Sequence, residues 1–344
     1  MSVRVGLLGA TGAVGQRFVQ LLTDHPTFEI AAVTASPRSA GESYRDAAKW
    51  RVDTPIPEDI AEMTVLETDP GALPDELDLL FSSLPSSVGA EIEPELCRAG
   101  YVVSSNSSNE RMAEDVPLTI PEVNADHLDL IETQREERDW DGALVKNPNC
   151  STITMTPTLA ALNQFGLSRV HVATLQAVSG AGYSGVTSME IIDNVLPHIG
   201  GEEAKMESES RKLLGTVEDG ELSLHDVEVS ASCNRVPSLD GHLENVFAEL
   251  DENPSAAEVH EALEGLAAAD LPSAPEQPIH VFDDPERPQP RLDRMRGKGM
   301  QISAGGLRET PEGIQYNCLA HNTIRGAAGA SVLNGELLVE DGWI

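Results

Sequence analysis

Basic residues are scarce in this sequence. Its 344 residues include 23 Lys and Arg against 57 Asp and Glu, giving a formal net charge of −34, and the only lysines are Lys49, Lys146, Lys205, Lys212 and Lys298. Neutralising nucleic-acid phosphates takes clustered Lys and Arg, so nucleic acid is excluded as the main partner. Docking on an anionic membrane surface is excluded for the same reason. Long apolar runs are missing too: no stretch approaches the ~20 residues of a membrane span. The opening Met1-Ser2-Val3-Arg4-Val5 passes directly into a strand pattern, so no signal peptide is expected. The four cysteines, Cys97, Cys150, Cys233 and Cys318, form no C-x-x-C pair. That scatter fits neither a disulfide framework nor a zinc site and points to a reducing cytoplasm. No repeat of fixed period is present. With 40% hydrophobic residues the chain is apolar enough to fold, and it is long enough for two domains. Acid-rich, lysine-poor surfaces suit concentrated salt, where a Debye length of about 3 Å at 1 M screens self-repulsion, so a halophile source is expected.

The first half alternates strand-like runs, Val3–Leu8, Ile30–Thr34, Leu77–Ser82 and Tyr101–Ser104, with helical patterns such as the Phe18, Val19, Leu21, Leu22 stripe that ends before Pro26. This alternation predicts a parallel sheet with helices on both faces. From Cys150 the character changes. A helix starts there, Val170–Val178 reads as a strand entering the glycine loop Gly180–Gly185, Glu202–Leu214 has helical spacing, and Val227–Ala231 is a further strand. Asp251–Pro290 is acidic and Pro-rich, with a solvated helix expected over Ala256–Ala268 and a plain connection from Pro272 to Pro290. Ile324–Val339 predicts an amphipathic helix.

Gly9-Ala10-Thr11-Gly12-Ala13-Val14-Gly15 follows the first strand and opens a helix. Glycines there permit a tight turn and a close approach to a pyrophosphate, whose charge sits on the free N–H groups of the helix start. An NAD-selective site places a carboxylate at the end of the second strand, but this chain reads Thr34-Ala35-Ser36-Pro37-Arg38-Ser39. The hydroxyls of Ser36 and Ser39 and the Arg38 guanidinium suit a 2′-phosphate, so NADP is the preferred cofactor. Lys146-Asn147-Pro148-Asn149-Cys150-Ser151-Thr152 sets a cysteine at a helix N-terminus, whose N–H groups and dipole favour the thiolate.

Gly9–Gly15, Asn149-Cys150-Ser151-Thr152, Gln176 before Ser179-Gly180-Ala181-Gly182, Arg235 followed by His242, and Asn322-Thr323-Ile324-Arg325-Gly326-Ala327-Ala328-Gly329-Ala330 follow one another over nearly the whole chain. In this order they resemble the aspartate-semialdehyde dehydrogenases, particularly the archaeal and fungal branch. The resemblance implies an α/β chain: a Rossmann-type NADP-binding domain over residues 1–149, completed by a C-terminal segment 322–344 whose helix returns to it, and an α+β catalytic and dimerisation domain over 150–321. It also implies a cytoplasmic homodimer or homotetramer without a metal. The implied reaction converts L-aspartate 4-semialdehyde, phosphate and NADP into L-4-aspartyl phosphate and NADPH, and runs backwards in the biosynthesis of Lys, Met, Thr and Ile.

In that reaction the resemblance makes Cys150 the nucleophile, His242 the general acid/base and Gln176 the residue that orients the substrate. Arg235 receives the substrate carboxylate and Glu203 its ammonium, while Arg111 and Lys205 hold phosphate. Gly9, Thr11, Gly12, Ala13, Val14 and Gly15 cradle the nucleotide, and Ser179, Gly180 and Asn322 lie by the nicotinamide. Residues two apart do not share a helical face, so Glu203 and Lys205 require a turn or a distorted helix start between them. Malonyl-CoA reductase and N-acetylglutamyl-phosphate reductase share the thiol and imidazole, but their substrates lack the free ammonium that Glu203 would receive. A non-catalytic nucleotide-binding protein has no use for Cys150, His242 and Arg235 together.

Overall fold

A computed structural model describes residues 2–344. Strands β1 (Val3–Leu8), β2 (Phe28–Ala35), β3 (Leu66–Glu67), β4 (Leu79–Ser82), β5 (Val102–Ser105) and β6 (Ala143–Lys146) form one sheet in the order β3-β2-β1-β4-β5-β6. Every pairing in it is parallel. Winding reverses between β1 and β4, which opens a crevice at their carboxyl ends. β4, β5 and β6 are buried along their whole length, which is why they read as short apolar runs instead of alternating patterns. Phe18 and Phe81 stack at 5.1 Å in the core beside Val5, Leu7 and Phe28. The glycine loop lies in the crevice. Gly9 has φ +72°, and a Cβ on Gly15 would stand 2.4 Å from the Gly9 carbonyl oxygen, so the turn into the helix Ala13–Leu22 closes only with glycine.

Beyond Cys150 come β7 (Leu167–Gln176), a small hairpin of β8 (Thr216–Glu218) and β9 (Glu221–Ser223), then β10 (Glu228–Arg235), β11 (His242–Leu250), β12 (Ile279–Phe282), β13 (Ile302–Thr310) and β14 (Gly313–Ala320). A second six-stranded sheet runs β10-β7-β11-β14-β13-β12, with β10–β7 and β12–β13 parallel and the other pairs antiparallel. One face carries a core of its own. Met155, Leu159 and Leu162 of the helix Cys150–Leu162 and Met206 of the helix Glu202–Leu213 pack there on Val172, Val246 and Tyr316. The architecture is thus the expected parallel sheet joined to a mixed α+β unit.

Three expected segments differ. Pro272–Pro290 is more than a connection, because it contains β12 and carries Ser273, whose N–H and Oγ donate to the buried Glu336 carboxylate at 3.1 and 2.9 Å. The helix before it ends at Glu264, and its Val259 and Leu263 belong to the second core, so only one side is solvated. The C-terminal helix is not amphipathic. It opens with a wide π turn over Ile324–Ala328, and from Gly329 to Leu338 it is buried all round. Val332, Leu337 and Leu338 join the first core, Leu333 packs with Met300 and Ile324, and Ala330 packs with Leu118, Ile120 and Ile153. Each face meets a different layer, and no face is left for water. Among the described residues no helix is long and apolar enough to cross a membrane.

Candidate active site

Asn149 caps the helix Cys150–Leu162: its Oδ1 accepts the N–H groups of Ser151 at 2.9 Å and Thr152 at 3.4 Å. Cys150, next in the chain, is thereby fixed at the first helical position. His242 opens β11, fully buried, with Nε2 3.3 Å from Cys150 Sγ and Nδ1 accepting the Ala177 N–H at 3.1 Å. An accepting Nδ1 in a neutral ring leaves the proton on Nε2, facing the sulfur. Arg235, at the end of β10, donates from Nη1 to the Ala177 carbonyl at 2.8 Å. Gly180 makes room for both, since a Cβ there would meet Arg235 Nη1 at 2.7 Å and His242 Cε1 at 3.3 Å.

Burial pushes the Cys150 thiol up to about 12; Glu202 adds to the rise, while Arg235 and Arg111 oppose it. Burial, and then Arg235, push His242 down to about 3. At neutral pH the pair is therefore a thiol beside a neutral imidazole. The helix N-terminus alone does not make the thiolate, because desolvation outweighs a dipole effect of about 1 kcal/mol.

The helix Glu202–Leu213 corrects one assignment. Glu202, not Glu203, joins the thiol: its Oε2 accepts Asn149 Nδ2 at 2.9 Å and Gln176 Nε2 at 3.4 Å, and its Oε1 accepts Lys205 Nζ at 2.9 Å. Glu203 turns away, accepting the Cys233 N–H at 3.2 Å and lying 3.8 Å from His198. The helix is regular from Glu202 onward, so residues three apart share the face that residues two apart cannot. The same face carries two groups missing from the sequence reading. Glu209 accepts Arg111 Nη1 at 2.9 Å, and Lys212 Nζ donates to the carbonyls of Arg111, Ala113 and Val116 at 2.9, 2.6 and 2.7 Å. Burial lowers Lys212 to about 8. Their signal was the helical spacing from Glu202 through Lys205 to Glu209 and Lys212, in a segment whose charge alternation reads as a solvated face.

A cavity of about 280 Å³ gathers Cys150, Asn149, Arg111 and Lys205 with Ser179, Gly180 and Asn322, and its opposite wall is Ala13 and Val14 of the glycine loop. Asn322 ties the wall together, donating to Ser179 Oγ at 2.8 Å and accepting the Gly241 N–H at 2.8 Å. Within the loop, the Thr11 carbonyl accepts Gln16 Nε2 at 3.0 Å, and Gly12 N–H donates to the Gly9 carbonyl at 3.0 Å. Ser36, Arg38 and Ser39 stand outside this cavity, on the turn after β2, with Ser36 and Arg38 exposed. Ala10 N–H bonds the Thr34 carbonyl at 2.9 Å and keeps that turn alongside the loop. A larger surface cleft of about 820 Å³ between the helix Ala256–Glu264 and β12 holds none of these groups. Among the described residues no group of three His, Cys, Asp or Glu could hold a metal ion.

A glycine loop at the switch point of a doubly wound sheet, lining one cavity with a helix-borne thiol that has an imidazole of the second sheet 3.3 Å behind it, defines a dinucleotide-binding protein with a thiol–imidazole pair at its crevice. The semialdehyde dehydrogenase NAD binding domain model matches residues 4–131, and the semialdehyde dehydrogenase dimerisation domain model matches residues 159–325. The chain is 49% identical over 342 residues to the aspartate-semialdehyde dehydrogenase of Archaeoglobus fulgidus, covering 99% of each. It resembles the crystal structure of aspartate semialdehyde dehydrogenase with NADP from Candida albicans with TM-score 0.91 and 40% identity over 100% of both chains. It also resembles aspartate semialdehyde dehydrogenase II of Vibrio cholerae complexed with ASA, with TM-score 0.79 and 27% identity over 99% of both chains. The chain belongs to the aspartate-semialdehyde dehydrogenase family.

Proposed function

We propose that this chain interconverts L-aspartate 4-semialdehyde, phosphate and NADP with L-4-aspartyl phosphate and NADPH. The observation that carries the reading is the charge arrangement around the thiol. A buried carboxylate, Glu202, and a buried guanidinium, Arg235, both bear on the Cys150 sulfur, and Arg111 and Lys205 line the same cavity. A substrate with one ammonium and one carboxylate, together with inorganic phosphate, matches that set of charges.

The residues present fit NADP. Backbone N–H groups of the Gly9–Gly15 loop suit the pyrophosphate, Ser179, Gly180 and Asn322 line the thiol cavity where the nicotinamide must reach, and Ser36, Arg38 and Ser39 suit the 2′-phosphate. When bound, NADP accepts the hydride of the aldehyde carbon and returns it in the reverse direction. Cys150 attacks that carbon through sulfur, forming a C–S bond as the carbonyl π bond breaks toward oxygen. The thiol proton reaches that oxygen through Nε2 of His242, 3.3 Å from the sulfur, which gives up the proton it holds and takes the sulfur's, leaving a thiohemiacetal with the ring neutral. When the hydride departs, the hydroxyl proton leaves for solvent by the same exchange at Nε2. Gln176, held beside Glu202, orients the substrate next to the thiol. Once the carbon has been oxidised to the thioester, a phosphate oxygen held by Arg111 and Lys205 attacks it. The C–S bond breaks, and the thiolate and acyl phosphate separate. The family reading also carries a cytoplasmic homodimer or homotetramer, in the division 1–149 with 322–344 against 150–321 that the two separate cores support, and biosynthesis of Lys, Met, Thr and Ile. A net charge of −34 supports a halophile source.

Phosphate-dependent reduction of NADP by aspartate semialdehyde, followed at 340 nm through a salt series, tests the reading. Turnover that rises toward molar salt is expected, and turnover of malonyl-CoA with NADPH in place of aspartate semialdehyde would replace the assignment. Arg38→Glu is expected to raise KM for NADP by about tenfold or more, the loss of one charge-assisted pair, and to leave KM for NAD nearly unchanged. Equal effects on the two cofactors would remove Arg38 from the 2′-phosphate site.

A further inference from the structure

Glu209 takes no part in the scheme above, yet it touches two parts of the site at once. It is 2% exposed, a carboxylate that the interior tolerates only with partners. Its Oε1 accepts Arg111 Nη1 at 2.9 Å, and its Oε2 accepts the backbone N–H of Asn149 at 2.6 Å. Asn149 caps the helix that begins with Cys150. One carboxylate thus bridges the cavity arginine and the residue that fixes the nucleophile.

The other contacts of Arg111 show what the bridge leaves free. Its Nη2 donates to the Asn106 carbonyl at 2.7 Å, while Nε is buried without a partner. Lys212, one turn beyond Glu209 on the same helix, holds the Arg111 loop through three carbonyls but does not touch the guanidinium. The plane of the guanidinium is therefore set by Glu209 and Asn106, with an N–H edge kept for an anion. A planar fork binds an oxyanion well only in a fixed orientation. Counter-charge matters as well, because Arg111 is among the groups that draw the Cys150 thiol toward its thiolate.

We propose that Glu209 is a positioning residue: it orients Arg111 for phosphate while anchoring the start of the nucleophile's helix, so that anion and sulfur are held in one geometry. This rests on the reading of Arg111 as a phosphate ligand. Glu209→Gln keeps the shape and removes the charge. In this variant KM for phosphate rises about tenfold or more, while KM for aspartate semialdehyde stays within about twofold, as expected for losing a charged hydrogen bond behind one ligand only. Alkylation of Cys150 at pH 8 quickens severalfold, because Arg111 without its counter-charge stabilises the thiolate more.

The control is Arg111→Ala, alone and combined with Glu209→Gln. With Glu209 acting through Arg111, the second substitution adds less than about twofold to KM for phosphate in the Arg111→Ala background. An equal rise in both KM values, or full additivity in the double variant, means general loosening and overturns the proposal. So does an unchanged phosphate KM in Glu209→Gln when Arg111→Ala raises it. If Arg111→Ala itself leaves KM for phosphate unchanged, the phosphate assignment of Arg111 falls, and the proposal falls with it.

Discussion

Cys150→Ala is expected to lower kcat for phosphate-dependent NADP reduction by on the order of 10⁴-fold or more, with NADP binding retained. The size of the effect follows from the site. No other cysteine reaches the cavity: Cys97, Cys233 and Cys318 are all buried elsewhere. Without the C–S bond the aldehyde has no covalent route to an acyl phosphate. Titration of NADP by fluorescence or calorimetry keeps the test specific, because a misfolded variant would lose binding too. Retained turnover within tenfold of the parent would remove Cys150 as the nucleophile.

The same thiol makes an expectation about pH. A group raised to about 12 is almost wholly protonated at neutrality, so its thiolate fraction grows about tenfold for each pH unit. Alkylation of the ligand-free protein by iodoacetamide, with Cys150→Ala as the blank, is therefore expected to accelerate without a plateau from pH 7 to pH 10. A plateau near pH 6 would mean a standing thiolate–imidazolium pair. That result would contradict the buried, neutral His242 whose Nδ1 already accepts the Ala177 N–H.

The sequence makes local features legible and hides those that depend on register. The Gly9–Gly15 loop is readable because its function is a backbone conformation, and only glycine permits it. Cys150 is readable because Asn149 and the residues after it announce a helix start. β3, of two residues, escapes notice because so short a run carries no period, whereas β6 is passed over although it is as long as β4 and β5, its three apolar residues running straight into Lys146 and the turn before Cys150. β12 hides inside a Pro-rich acidic segment, since its partner β13 is 20 residues further on and nothing local announces the pairing. The C-terminal helix reads as amphipathic because a sequence cannot say how many layers will cover it. Glu209 and Lys212 look like solvated charges until the loop of Arg111 is folded onto them.

Glu202→Gln and Glu203→Gln separate the two candidate partners for the substrate ammonium. Which of two adjacent acids faces inward depends on the first helical residue, and Gly201, left-handed at φ +76°, ends the preceding turn so that Glu202 begins the helix. Glu202 then stacks one turn below Lys205 and beside Asn149 and Gln176. Its carboxylate lies below its ordinary range: burial acts to raise it, but Lys205 and the hydrogen bonds from Lys205, Asn149 and Gln176 outweigh that, so it stays ionised at working pH. A charge-assisted contact of about 1.5–3 kcal/mol lost from substrate binding corresponds to roughly 10- to 100-fold in kcat/KM, and that is the expected loss for Glu202→Gln. Glu203→Gln keeps an acceptor for the Cys233 N–H and is expected to change kcat/KM less than about twofold, as partly exposed substitutions do. A substrate analogue without the amino group sharpens the comparison: the gap between the parent and Glu202→Gln should close to the part that comes from Lys205, Asn149 and Gln176, because the contact with the substrate ammonium is then absent from both. Equal losses in both variants, or a larger loss at Glu203, would return the ammonium site to Glu203 and require the helix start to rearrange when substrate binds.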